Sequence, residues 1–175
     1  YMEIKKNDLV SLSFSGYTSA GYGVGRHHGM AVFVPGAAEG DSAIVRILKV
    51  EKNFAYGKIE ELTVSSPHRI KIDCPVFSQC GGCVYRHINY EHELEIKRRM
   101  VEDCMRRIGH LDVPVLPVIG CHQPRYRNKA QYPVGMGKTG PVSGFFAPRS
   151  HEIIDSEVCE IQHPVSDVAK KTVLD

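Results

Sequence analysis

The sequence predicts a mainly β chain with one long helix, set out as a small barrel followed by an α+β module organised around cysteines. Three observations carry this expectation. Residues 8–64 hold about five apolar runs at spacings near ten residues, joined by Gly and Pro turns, which is the pattern of a small barrel. Residues 89–109 alone combine helical periodicity with start and stop signals. Between them, Cys74, Cys80 and Cys83 form a C-x5-C-G-G-C pattern that separates the two β-rich parts.

In chain order, residues 9–14 alternate, with Val10, Leu12 and Phe14 on one face and Leu9, Ser11 and Ser13 on the other. Gly16, Gly21, Gly23, Gly25 and Gly29 follow, a density incompatible with a helix. Residues 21–26 fail as a dinucleotide loop, because Arg26 stands where the third glycine would fall and no helix follows. A hairpin or loop rich in positive torsions is expected there. Residues 30–34 form an apolar run closed by Pro35 and Gly36, and residues 43–50 and 55–64 supply the remaining strands. Residues 65–67 read as a linker, so the expected domains are 1–65 and 66–175, with the helix in the second.

For the helix, Asn89 is a suitable N-cap, Glu91, Glu93 and Glu95 suit the first turns, and Gly109 marks the stop. Leu94, Val101, Met105 and Ile108 share the expected apolar face. Four acid-to-base pairs at i,i+4 (Glu93 and Lys97, Glu95 and Arg99, Glu102 and Arg106, Asp103 and Arg107) make its basic residues helix support rather than an RNA surface. Strands are expected at 115–119, 129–136, 142–146 and 151–154, and a second helix from Pro164.

The composition is that of an ordinary globular chain, and its net charge of +2 does not by itself announce a nucleic-acid partner. Residues 1–65 carry equal numbers of acids and bases, so the excess falls later, where Arg125, Arg127 and Lys129 come without an intervening acid. No segment reaches the length of a membrane-spanning apolar run, and no export signal opens the chain. A cytoplasmic location follows as the expectation, which disfavours pairing the six cysteines as disulfides.

Thiolates that bind metal must converge on a small volume, and Gly81 and Gly82 allow the tight turn this needs. Zinc is one reading, although it commonly uses two C-x2-C knuckles and only one is present here. A cubane held by three close cysteines and one distant cysteine is the other. Cys104, Cys121 and Cys159 are the candidates for the distant ligand. Cys104 reads as a buried thiol of the helix, nothing marks Cys121, and Cys159 follows an apolar strand and is favoured.

Several motifs carry a resemblance. Gly21 to Arg26, the run from Met30 to Ala37, and Gly40-Asp41 are similar to the TRAM domain, an OB-like barrel. Cys74 through Cys83, then His87, Tyr90 and Lys97, resemble the cluster motif of TRAM-containing RNA uracil-5-methyltransferases. Tyr126 to Lys129, Gly144 to Phe146, Ser150 to Ile154 and Cys159 match the same family, so the likeness runs from about residue 8 to about 163. It implies an OB-like TRAM barrel followed by an iron-sulfur-binding α+β module. It implies a 4Fe-4S cluster on Cys74, Cys80, Cys83 and Cys159.

The resemblance also implies RNA, ribosomal 23S RNA first, as the partner. Tyr22 and Arg26 of the barrel, with Arg125, Arg127, Asn128 and Lys129 of the second module, are the candidate contacts. Tyr17 and Phe54 are further stacking candidates. One departure, Val84 to Arg86 before His87 where glutamine is more usual, touches no ligand. The family's S-adenosylmethionine site, nucleophilic cysteine and general base have no counterpart in this sequence. The expectation is an RNA-recognition portion that is inactive alone and is completed by a C-terminal methyltransferase domain. A non-catalytic iron-sulfur or zinc RNA-binding protein is the alternative. A radical methylthiotransferase is excluded by the missing C-x3-C-x2-C motif.

Overall fold

The computed structural model describes residues 4–174. Five strands form the first sheet: β1 (Leu9–Tyr17), β2 (Gly23–His27), β3 (Met30–Val34), β4 (Ser42–Val50) and β5 (Phe54–Val64). They close into a barrel in the order β1-β2-β3-β5-β4. β1 pairs antiparallel with β4 to seal it, and β3 pairs parallel with β5. This is the strand order of a small Greek-key barrel of the OB type.

The barrel interior follows from the period-2 alternation. Val10, Leu12 and Phe14 of β1, Val32 and Val34 of β3, Ala43, Val45 and Ile47 of β4, and Ala55 of β5 are buried together. The glycine-rich stretch forms the β2–β3 hairpin, with His28 and Gly29 at its tip at φ 47° and 87°. Gly57 lies on the inner face of β5, where an added Cβ would collide with the Val45 side chain. Gly57→Ala is therefore expected to lower the urea midpoint, costing about 1–3 kcal/mol for overpacking. An unchanged midpoint would mean that the wall yields freely there.

The chain divides into two compact units, but not at residue 65. The first contains the stretch up to Ile70 together with His87–Val118, and the second contains Lys71–Arg86 and the stretch from Ile119 onward. The helix expected in the second module therefore belongs with the barrel. Its contacts explain why. The Arg99 guanidinium donates to both Glu39 carboxylate oxygens, at 3.1 and 2.6 Å. The His92 ring stacks on His68 with centroids 3.7 Å apart, and it also meets Tyr17.

That helix, α1 (Tyr90–Asp103), starts where Asn89 Oδ1 accepts the His92 N–H at 2.8 Å. It runs into a π-helical turn, Cys104–Ile108, and His110 takes φ 52° just beyond Gly109. The pairs Glu93 with Lys97, Glu95 with Arg99, and Asp103 with Arg107 form as expected. Arg106 turns to Asp103 instead of Glu102. The buried residues of α1 are His92 and Ile96, whereas Val101, Met105 and Ile108 are exposed. The barrel side of the helix thus differs from the expected apolar stripe.

In the second unit, β6 (Val134–Met136), β7 (Pro141–Phe146) and β8 (Ile153–Asp155) form an antiparallel sheet in that order. α2 (Pro164–Leu174) follows where the helix from Pro164 was expected. The strand expected at 115–119 does not form; Pro114 and Pro117 remove ladder donors, and Leu116 and Ile119 are exposed. The strand expected at 129–136 shrinks to its last three residues, after Pro133.

Candidate functional site

The cysteine segment of the second unit is built from tight backbone turns. Phe77 N–H donates to the Cys74 carbonyl, and Gln79 and Cys80 N–H donate to Val76, at 3.3, 3.0 and 2.8 Å. Gly81 N–H donates to the Phe146 carbonyl at the end of β7, at 2.9 Å. A Cβ on Gly81 would come within 2.9 Å of that same oxygen, so glycine is required for this approach. The Gly82 N–H points at Cys80 Sγ, 3.3 Å away, and favours a thiolate there.

Cys159 comes to the same place from the other end of the unit. Its N–H donates to Asp167 Oδ1 of α2 at 3.2 Å, and its carbonyl accepts from Arg125 Nη1 at 3.0 Å. Cys74, Cys80, Cys83 and Cys159 line one cavity, together with Arg86, Arg127 and Phe145. Burial pushes the Cys80 thiol up, opposed by the Gly82 N–H and aided by Cys74 and Cys159. Burial likewise pushes Cys83 up to about 11, with Arg86 opposing and the other three cysteines adding to the rise.

Thiolates are the ligating form, and four of them around one cavity repel unless a cationic group lies among them. Among the described residues, no three His, Cys, Asp or Glu side chains stand close enough to hold a single metal ion. One tetrahedral zinc needs all its donors at one centre. A cubane takes one thiolate at each iron, so its ligand sulfurs are spread more widely. In this structure the four thiols line one cavity wall. The two other cysteines stand apart: Cys121 is exposed, and Cys104, expected to be buried, is exposed as well. The π-helical turn that contains Cys104 buries no residue, which is why its thiol faces solvent.

The basic run expected to meet RNA separates into different roles. The Arg125 guanidinium donates to the Cys159 carbonyl and to Asp167 Oδ2 at 2.9 Å, and pairs with Glu160 at 3.2 Å. It is a tie between the Cys159 loop and α2. Arg125→Ala is expected to cost about 2 kcal/mol, the scale of charged hydrogen bonds, and to lower the thermal midpoint. An unaltered melting curve would count against this tie. Arg127 is exposed and lines the cysteine cavity, with its backbone bonded to Ile161 and His163. Asn128 and Lys129 line a separate groove beside Tyr132 and α2.

In the barrel, Arg26 is exposed and donates to the Gly29 carbonyl at 3.0 Å. Tyr22 lies edge-on to Tyr56, with centroids 6.4 Å apart. Tyr17 has a structural role, since its hydroxyl accepts the Glu39 N–H at 2.8 Å. The sequence reading named Arg127 only as an RNA contact, and it did not single out Arg86 at the cavity or Phe33 and Tyr56 on the barrel. The alternation of Phe54, Tyr56 and Lys58 was the available signal for the second pair.

Residues 9–59 match the TRAM domain, so the closed barrel is a TRAM domain. Over nearly its whole length the chain is similar to proteins named as RNA methyltransferases. An uncharacterized RNA methyltransferase of Halalkalibacterium halodurans is 42% identical over 166 residues, which is 94% of this chain and 36% of that protein. One from Bacillus cereus is 43% identical over the same shares. The chain thus spans about a third of the length of the curated relatives it matches. Among solved structures it resembles the Pyrococcus abyssi tRNA (uracil-54, C5)-methyltransferase in complex with S-adenosyl-L-homocysteine. The TM-score is 0.56 and the identity 27%, over 93% of this chain and 35% of that one. Among the described residues, no helix is long and apolar enough to cross a membrane.

Proposed function

We propose that this chain is the RNA-recognition portion of an S-adenosylmethionine-dependent RNA uracil-5-methyltransferase. The observation that carries the proposal is the pairing of a TRAM barrel with a second unit whose four cysteines line one cavity. The relatives, named as RNA methyltransferases, and the likeness to a tRNA uracil methyltransferase support the same reading. Cys74, Cys80, Cys83 and Cys159 would hold a 4Fe-4S cluster. Bound there, such a cluster supplies a cross-link between distant parts of the unit, or one-electron redox chemistry.

The work of this chain's own residues is binding and orientation. Exposed cations, Arg26 on the barrel and Arg127 and Lys129 in the second unit, meet phosphates. Asn128 beside them offers both a donor and an acceptor to a ribose or base edge. A uridine must leave its stack before its ring can react, and phosphate contacts with stacking help to offset that cost. Arg125 acts indirectly, by fixing the loop that carries Cys159.

The methyl donor and the catalytic residues belong to the remainder of the full-length enzyme. The chain alone is expected neither to methylate RNA nor to hold S-adenosylmethionine, and a stoichiometric micromolar donor complex by calorimetry would overturn this. The whole protein, incubated with radiolabelled donor, should label uridine at carbon 5. A 23S ribosomal RNA fragment is the first substrate to offer. A tRNA transcript is the second, favoured by the likeness to the Pyrococcus abyssi enzyme. Transfer to neither RNA would sink the methyltransferase reading.

A further inference from the structure

The three clustered cysteines ride on a segment with little burial of its own. From Lys71 to Arg86 no residue is buried, and Cys74, Cys80 and Cys83 are half-buried. No apolar core fixes the course of this segment, so its shape depends on polar ties. Inside it the bonds are local: Phe77 N–H reaches back to the Cys74 carbonyl, and Cys80 N–H to that of Val76. Gly81 N–H anchors its middle to Phe146. Its two ends are closed by one side-chain pair. Arg86 Nε donates to Asp73 Oδ1 at 2.7 Å, and Arg86 Nη2 donates to Asp73 Oδ2 at 2.5 Å. Asp73 adjoins Cys74, and Arg86 follows shortly after Cys83.

Surface ion pairs contribute little as a rule, because water screens them and two long side chains must be ordered. This pair differs in geometry and in place. Both carboxylate oxygens take a guanidinium N–H, the forked arrangement that gives such pairs strength and direction. The Arg86 side chain is only 16% exposed, while that of Asp73 is 58% exposed. Arg86 also lines the cavity of the four cysteines. The other charged residues lining it are Arg127 and Glu160, and Glu160 pairs with Arg125. A cation at this wall favours the thiolate of Cys83 against its burial, and it gains from Cys74 as well. Water screens Asp73 more than Arg86, so the carboxylate does not cancel the guanidinium at the cavity. Arg86 stands where the resemblance makes glutamine usual, so the likeness assigns it no part.

We propose that Arg86 is a positioning residue for the group held by Cys74, Cys80, Cys83 and Cys159, closing the cysteine loop through Asp73 and setting a fixed cation on the thiolate wall. The proposal rests on the reading that these four cysteines hold a 4Fe-4S cluster, and it names the residue that shapes the site and biases its charge. A loop closed in advance presents Cys74 beside Cys80 and Cys83 before any iron arrives, which lowers the ordering cost of binding. Reduction adds a negative charge to a group already ringed by thiolates. A nearby cation favours that reduced form and raises the potential.

The test uses this chain, first free of metal and then reconstituted anaerobically with ferrous iron and sulfide. Amide hydrogen exchange reads the loop in peptides spanning 74–86, with barrel peptides as the check on folding. A mediated redox titration reads the potential. Arg86→Gln and Asp73→Asn each break the fork, and both should speed loop exchange about tenfold, the scale of losing a charged hydrogen bond, while the barrel holds. The potential then separates the two variants, as a loosened loop alone would not. It should fall in Arg86→Gln by about 59 mV, a tenfold shift in the oxidised-to-reduced ratio, and rise in Asp73→Asn. Arg86→Lys keeps the cation without the fork and should hold the parent's potential on a faster loop. Parent-like loop exchange in Arg86→Gln overturns the proposal, as do potentials that move together in Arg86→Gln and Asp73→Asn. In either case a parent with its full iron and sulfide leaves the cluster reading standing. A parent that takes up neither overturns the cluster reading and the role of Arg86 with it.

Discussion

Cys159→Ser is expected to leave the chain unable to keep a full complement of iron and sulfide after anaerobic reconstitution. Cys104→Ser and Cys121→Ser should reconstitute as the parent does. The difference follows from position. Cys159 lines the same cavity as Cys74, Cys80 and Cys83, while Cys104 and Cys121 are exposed elsewhere. Three thiolates would leave one iron open to solvent and to oxidative loss. Cys159 also lies about 76 residues beyond Cys83, so ligation closes a long loop. Loop closure becomes only slowly more costly with length, so a tie of this span can stabilise the folded unit substantially. The serine variant should therefore bleach faster in air and melt earlier. Full iron in the Cys159 variant with loss in the Cys121 variant would identify the wrong ligand. Zinc filling the site under the same conditions would defeat the cubane.

Asp41→Ala should be the most destabilising single change in the first unit, at about 3–5 kcal/mol, the scale of breaking one side of a buried ion pair. The Asp41 side chain is fully buried. Its oxygens accept the Ala38 and Ser66 N–H groups at 2.6 and 2.9 Å, and Arg69 Nε and Nη2 at 2.8 and 2.7 Å. Removal leaves a cation and two amides without their acceptor. Burial alone would raise the Asp41 carboxyl, but Arg69 and the two amides outweigh it and hold the group below its ordinary 3.8. Arg99 likewise holds Glu39 below its ordinary 4.5 against the cost of burial.

The sign of the pH effect follows. The unfolded chain takes up protons at these positions at higher pH than the folded chain does. Stability from both groups is complete above about pH 4.5 and drains away as pH falls through their lowered folded values. Urea midpoints from pH 6 to pH 3 should fall steeply for the parent and less steeply for Asp41→Asn, which starts lower. Parallel acid limbs in the two proteins would mean that Asp41 carries none of the dependence.

Much of the architecture is legible in local patterns. The alternation in residues 9–14 names the inward face of β1, because a strand has a period of two and its barrel has one dry side. Asn89 starts α1 because its side chain supplies an acceptor that the helix lacks. Other features are not legible. The apolar stripe of Leu94, Val101, Met105 and Ile108 pointed to a face that the protein leaves largely open. Arg125 looked like part of a free basic patch, yet its partners Asp167 and Glu160 lie more than thirty residues away in sequence.

What the sequence by itself determined is the set of local identities: a five-strand barrel, a capped helix and three clustered cysteines. Those follow from periodicity, turn chemistry and spacing, which act over a few residues. What only the tertiary structure decided is partnership: α1 with the barrel through Glu39, Arg125 with α2, and Cys159 on the same cavity as the cysteine turn. Each of these joins residues far apart in the chain. Whether they meet depends on which strands pair and which loops close, and no local pattern encodes that.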